Sequence, residues 1–384
     1  MNRFCLQEEH DIFRRSLRKF IEKEASPHYD EWEKEKQVPR SFWKKAGEQG
    51  YLCPWADEKY GGFQADFGYS VVLSEEFERL GTGMVGFGLH TDIVMPYIAS
   101  YGTNAQKDAW LPGAITGDLI SAIAMTEPGV GSDLAAVKTT AIKDGEDYII
   151  NGEKTFITNG YIADLVVAVC KTDPEAKPAH KGISLIVAEA GTPGFTKNKK
   201  LQKVGQHASD TCELIFEDVR VPASNLLGEE GKGFYYLMAK LQQERLMVAI
   251  QSITASEVML DLTIDYVKQR KAFGQSISQF QNTQFKLAEL KTEIQIGRTF
   301  VDRLIEDHVA GKDVVTEVSM AKWWTTDLAK KAAGECMQLH GGYGYMEEYE
   351  IARRYRDVAV SSIYAGSNEI MKVIIAKNMG LSSL

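Results

Sequence analysis

The chain has 384 residues, 44% of them hydrophobic and 25% charged, with a formal charge of −9. That is long enough for two or three domains with substantial cores, and the acidic balance argues against a generalised nucleic-acid or anionic-membrane partner while allowing a local cationic cleft. Five dispersed cysteines without a CxxC pair suit reduced thiols in a cytoplasmic chain, and no signal-like start or bilayer-length apolar run is read.

Residues 1–118 read as a helical domain. Ile12, Phe13, Leu17, Phe20 and Ile21 mark one face of a first helix ending near Pro27, and 67–80 and 84–101 read as further helices with Gly81 as a stop. Gly81-x-Gly83-x-x-Gly86 spells a dinucleotide fingerprint, but the preceding 71–80 segment is helical and charged rather than a buried strand. With Gly88, these glycines are better read as letting helices approach or leaving room for a ligand.

Residues 119–230 read as a β domain, a small antiparallel barrel or sandwich. It opens on Ala124-Met125-Thr126-Glu127-Pro128-Gly129-Val130-Gly131-Ser132-Asp133. Pro128-Gly129 favours a turn, and Gly131 lets backbone approach a flat or anionic ligand beside the Thr126 and Ser132 hydroxyls. Taken alone, the stretch serves equally as a domain-connecting loop. Then 148–150, an Asn151-Gly152 turn and 155–158 read as a hairpin, with strands at 165–170, 183–188 and 212–216. Lys197, Lys199, Lys200 and Lys203 read as a solvated loop.

Residues 231–384 read as a four-helix-bundle-like domain, free of proline, with helical periodicity from Leu237 to Val267 and helices near 280–309, 315–339 and 367–379. The order is α, β, α, a multidomain α+β chain. None of the seven histidines falls in a close metal-ligand pair, so no metal site is read.

The 124–133 stretch resembles the flavin-binding signature of the acyl-CoA dehydrogenases, and later segments resemble that family in the same order over nearly the whole chain. The resemblance implies FAD, with Met125, Thr126, Gly131 and Ser132 along the flavin ring. Phe156, where the family usually has tryptophan, would lie against the ring, and Thr158 would bond near N5. Ser132 would also touch the pantetheine side of the CoA thioester. Arg270 and Phe273, in the segment 267–274, and Gln281 beyond it match residues that reach the FAD pyrophosphate of a neighbouring subunit. Gln338, Gly341 and Gly342 match the loop against the adenosine part, and Ser367 and Glu369 match cofactor contacts. Each segment has a plainer reading: a strand end, a helix C-terminus complemented by a cation, a glycine loop closing a helix. If the resemblance holds, two subunits build each site, in a homotetramer that is a dimer of dimers.

Family members remove the α-proton of an acyl thioester while a β-hydrogen leaves as hydride to flavin N5, giving the trans-2-enoyl-CoA. Many carry the base as glutamate near the C-terminus, where this chain has Ala365, followed by Gly366; by the resemblance these two stand at the substrate, where a backbone N–H could still donate to the thioester oxygen. A minority, the long-chain and isovaleryl-CoA dehydrogenases, carry it in a mid-chain helix. Glu244 in Gln242-Gln243-Glu244-Arg245 matches that base, and Tyr235, Gln242 and Arg245 fall on the substrate side. An apolar pocket should raise the pKa of Glu244. Glu369 is the rival base; Glu127 reads as structural. The long-chain branch is the nearer resemblance, with electron-transfer flavoprotein as acceptor. The alternatives are an isovaleryl-CoA dehydrogenase, an O₂-using oxidase, and a catalytically silent acyl-CoA-binding flavoprotein.

Overall fold

The computed structural model describes residue 3 and residues 5–81 and 85–381. Gly83 and Met84, from the expected glycine junction and helix start, lie outside them. Helix α1 (Glu8–Glu24) buries Leu17 and Ile21, with Phe13 and Phe20 at the margin of the same core. Ile12, expected on that face, is 55% exposed: five positions before Leu17, it falls about 140° round the helix.

Helices α2 (Tyr29–Glu35) and α3 (Arg40–Glu48) precede α4 (Phe67–Leu80), whose Asp66 cap accepts from the Gly68 N–H at 2.7 Å. It stops at Gly81, where a Cβ would come 2.3 Å from Tyr29 Oη. The expected helix to residue 101 is broken into α5 (Val85–Gly88), a π-helical segment Leu89–Val94, and α6 (Met95–Tyr101). A Thr103/Gln106 capping box opens α7 (Asn104–Thr116).

The middle domain is one curled seven-stranded sheet: β1 (Ser121–Ala124), β2 (Thr140–Asp144), β3 (Asp147–Thr158), β4 (Leu165–Lys171), β5 (Ile183–Glu189), β6 (Phe195–Lys200) and β7 (Thr211–Pro222). Its main path runs β1-β4-β2-β3-β7-β6, with β5 on β4. The antiparallel expectation fails at β1, which pairs in parallel with β4. The expected hairpin at Asn151-Gly152 is also corrected, because β3 runs straight through it. The pair marks a register shift against β7, and Gly152 is required because a Cβ there would lie 2.4 Å from Thr139 Oγ1. The actual turn joins β2 to β3 at Gly145, φ 64°. The lysines expected in a loop stand largely on β6, and Lys203 donates to Ser209 O at 2.6 Å and Thr211 Oγ1 at 3.0 Å.

The C-terminal domain packs α8 (Gly233–Gln269), α9 (Gln281–Val309) and α10 (Val315–His340) together, followed by α11 (Glu350–Asp357) and α12 (Asn368–Asn378). Two short strands, β8 (Lys271–Ala272) and β9 (Gln275–Ser276), form the turn between α8 and α9. By length and composition α8 could cross a membrane, but 67% of its most apolar window is buried inside the protein, as in a core helix. The N-terminal domain is fastened to this bundle by the buried Glu75 of α4. Arg298 of α9 reaches it at 2.9 Å and Arg14 of α1 at 2.8 Å. Burial works to raise the Glu75 pKa, but Arg298, Arg3 and Arg14 hold it well below the usual carboxylate range.

Candidate active site

The loop after β1 and the far end of β3 form one wall. The Thr155 N–H donates to Thr126 O at 2.9 Å, tying strand to loop. Behind it, fully buried Lys154 sends Nζ to Glu127 Oε1 at 2.9 Å, Met125 O at 3.1 Å and Val169 O at 2.7 Å. Glu127 also accepts the N–H groups of Lys138 and Thr139 at 2.7 and 2.9 Å, so it is structural, as read from sequence. A Cβ on Gly129 or Gly131 would meet nothing within 4 Å. A register shift between Lys154 and Ile157 throws Phe156 outward, 66% exposed at φ 59°, with Thr158 half-buried beyond it. An open glycine edge, hydroxyls at Thr126 and Ser132, and an outward ring make a surface that fits an isoalloxazine.

The second group gathers on α8 opposite α6 and α12. Glu244 is half-buried, and its Oε2 is fully buried without a hydrogen-bond partner. Burial pushes its carboxyl up to about 7, against the pull of Arg245 and Lys322. Arg245 Nε and Tyr97 Oη are likewise buried and unpartnered. Ala365 adopts φ 54° and Gly366 φ 87°, turning the chain over Arg245; a Cβ on Gly366 would lie 3.8 Å from Arg245 Nη2. Fully buried Lys322 of α10 holds that turn, donating to Gly366 O at 2.7 Å and Asn368 Oδ1 at 3.2 Å. Buried polar atoms without partners are costly and rare, so three within one group mark a place where a ligand completes the bonding.

A narrow cavity, with room for about one water inside its walls, lies between α4, α5, the π-helical segment and α8, where Gln251 follows Glu244 by two helical turns. Of the expected glycines among the described residues, Gly81, Gly86 and Gly88, only Gly88 leaves volume there: its added Cβ would meet just Gln251 Nε2, at 3.6 Å. Gly81 and Gly86 are close-approach positions, against Tyr29 and against Asn159 Oδ1 at 2.3 Å.

Other expected residues are placed differently. Gln242 is not free for a substrate: its amide bonds His308 Nδ1 at 3.1 Å and Lys312 O at 3.2 Å, and its Oε1 accepts Val314 N–H at 3.0 Å. Exposed Glu369 is held below the usual carboxylate range by its own backbone N–H and the Ser367 hydroxyl, making it a weaker base than Glu244. Ser367 caps α12 through Ile370 N–H at 3.4 Å. Tyr235 is 45% exposed, 3.3 Å from His180 Nε2.

Arg270 follows α8 and lies over the Tyr343 ring at 5.5 Å, Phe273 in the turn beyond it is 95% exposed, Gln281 opens α9, and Gln338, Gly341 and Gly342 stand at the end of α10. At 1.5 Å per residue, Arg270 lies roughly 39 Å along α8 from Glu244. Lys154, Lys322, Tyr97 and Asn159 were not singled out from sequence. Lys322 carried a signal, a lysine in the buried face Val318, Ser319, Ala321, Thr325, and Asn159 bonds Gly86 O at 2.8 Å.

Models of the N-terminal, middle and C-terminal domains of acyl-CoA dehydrogenases match residues 7–118, 122–219 and 231–380. The mitochondrial long-chain specific acyl-CoA dehydrogenase of Sus scrofa is 52% identical over 97% of this chain and 86% of its own length. The mitochondrial isovaleryl-CoA dehydrogenase of Pongo abelii is 37% identical over 97% and 89%. The crystal structure of an acyl-CoA dehydrogenase from Geobacillus kaustophilus superposes with a TM-score of 0.98 at 68% identity, over 99% of this chain and all of that one. With all three domain models matched in order, this chain belongs to the acyl-CoA dehydrogenase family.

Proposed function

We propose that this flavin-dependent oxidoreductase converts long-chain acyl-CoA to the trans-2-enoyl-CoA, with Glu244 taking the α-proton. The family's action on CoA thioesters and its FAD dependence are common ground; the chain length and the base are our reading. The observation that carries it is the unpartnered, buried Glu244 Oε2 in a group whose carboxyl is poised near neutrality. A base with a pKa near the working pH combines a useful carboxylate fraction with real proton affinity.

When bound, FAD supplies the acceptor for the hydrogen and electron pair that leave the β-carbon. The protein's own part is to hold the thioester so that Glu244 meets the α-carbon. Backbone N–H groups of the Ala365–Gly366 turn, kept in place by Lys322, would donate to the thioester oxygen as enolate charge develops. Met125, Thr126, Gly131, Ser132, Phe156 and Thr158 would hold the flavin ring.

Arg270 is too far along α8 to serve its own Glu244, so the pyrophosphate contact would come from a second copy. A homotetramer built as a dimer of dimers meets that need, and the 95% exposed Phe273 suits burial in such a contact. Electron-transfer flavoprotein is the proposed acceptor, and the free thiols suit a reducing, cytoplasmic setting.

The long-chain reading is supported by the space beside Gly88 and the 52% identity above. The test adds a chain-length series of acyl-CoAs anaerobically to the holoprotein. Palmitoyl-CoA should bleach the flavin fastest, and Gly88→Leu should move the optimum to shorter chains. Preference for isovaleryl-CoA would favour that branch, absence of bleaching the silent flavoprotein, and rapid reoxidation by air an oxidase.

A further inference from the structure

The cavity beside Gly88 has polar groups in its wall as well as carbon. Ser74 of α4 is 6% exposed, and its Oγ lines the cavity without a hydrogen-bond partner. Asp92, 3% exposed in the π-helical segment, also lines it; its Oδ1 accepts Ser70 Oγ–H at 2.6 Å. Burial favours the neutral acid at Asp92, pushing its pKa up to about 7. Gln251 of α8 brings an amide to the same space, next to Gly88. Packing methylenes against Ser74 would leave its buried hydroxyl without a partner, and would desolvate Asp92 and Gln251 further.

The cavity and the candidate base share helix α8. Gln243 Nε2, one residue from Glu244, donates to Asp92 O at 2.7 Å, which fixes the π-helical segment against α8. Gln251 is two helical turns on, roughly 10 Å from Glu244 along the axis. An extended hydrocarbon covers that distance in about eight carbons. A chain whose α-carbon meets Glu244 would therefore bring its outer part to Ser74, Asp92 and Gln251.

We propose that this polar end is a subsite for an uncharged hydrogen-bonding group on the acyl chain, a hydroxyl above all, so that hydroxylated acyl-CoAs are preferred over plain chains of the same length. The inference rests on the reading that the groove beside Glu244 holds an acyl thioester. A hydroxyl there can donate to Asp92 or accept from Ser74, whereas a carboxylate would meet two acids, Asp92 and Glu78, the second already 3.6 Å from Arg354.

The test compares anaerobic flavin reduction by the ω-hydroxyl forms of decanoyl-, dodecanoyl- and tetradecanoyl-CoA with the unsubstituted chains, using the holoprotein. At the length that reaches the subsite, the hydroxylated chain should show kcat/KM at least about tenfold higher, a modest value for a site that hydrogen-bonds a substrate hydroxyl. Ser74→Ala should shrink that ratio while leaving the plain chains as good as before or better. Plain chains that bleach the flavin while every hydroxylated one is slower would overturn this inference alone, assigning Ser74 and Asp92 to trapped water. Failure of both series would overturn the dehydrogenase reading as well.

Discussion

Glu244 acts on a C–H bond only as a carboxylate, so its raised pKa makes the chemical step pH-dependent. The rate of flavin reduction should climb as pH rises through about 7 and level off above it, because deprotonation creates the base. Stopped-flow bleaching across the neutral range reads this directly, and a flat profile would place the base elsewhere. Lys322 adds a positive charge that favours the carboxylate, so Lys322→Met should move the midpoint upward by about one unit. The sequence alone did not single out Glu244, since Glu-Arg within a helix usually describes a solvated pair; the resemblance to the long-chain branch did. Lys322 stayed hidden because its role depends on a turn far along the chain, Ala365–Gly366. Gln242 misled for the opposite reason: it adjoins the base in sequence, but its amide faces the α9–α10 connection.

At the scale of elements, the loop after β1 is held by a buried ion pair. Lys154→Met would leave Glu127 buried with two N–H donors but no cation, a loss of about 3–5 kcal/mol by the usual penalty for breaking such a pair. The expected outcome is a lower thermal midpoint and weaker retention of FAD, read by calorimetry and by the flavin-to-protein ratio. Unchanged flavin content would mean the loop is fixed by other means.

Long amphipathic helices were legible: α4 matched its expected bounds, and α8 and α10 emerged from periodicity and the absence of proline. What local pattern could not reveal were features set by neighbours. Asn151-Gly152 has the chemistry of a turn, yet β7 on one side and Thr139 on the other keep the strand running. The π-helical segment Leu89–Val94 has no periodic signature distinct from an α-helix, and it places Asp92 against α8. Helix α11 was missed because its charged sequence, Glu350 to Asp357, reads as solvated, while Arg354 is in fact buried and bonds the carbonyls of Glu78 and Arg79 at 3.1 and 2.7 Å.

For the whole molecule, the proposed function needs the order α, β, α to bring loop 125–133 and Glu244 to one site, while Arg270 stands at the far end of α8. A single copy therefore lacks part of the cofactor contact that the resemblance implies. If the proposed assembly buries Phe273, Phe273→Asp should weaken it by placing a charge in that contact, lowering the mass measured by light scattering and the FAD content together. A monomer that keeps its flavin would remove the need for a second copy. The central claim is that the base stands on α8, and anaerobic single-turnover bleaching by palmitoyl-CoA tests it most directly, comparing the wild type with Glu244→Gln at equal flavin content. The account predicts a loss of roughly 10²–10⁴-fold in the variant, whereas retention of most of the wild-type rate would contradict it.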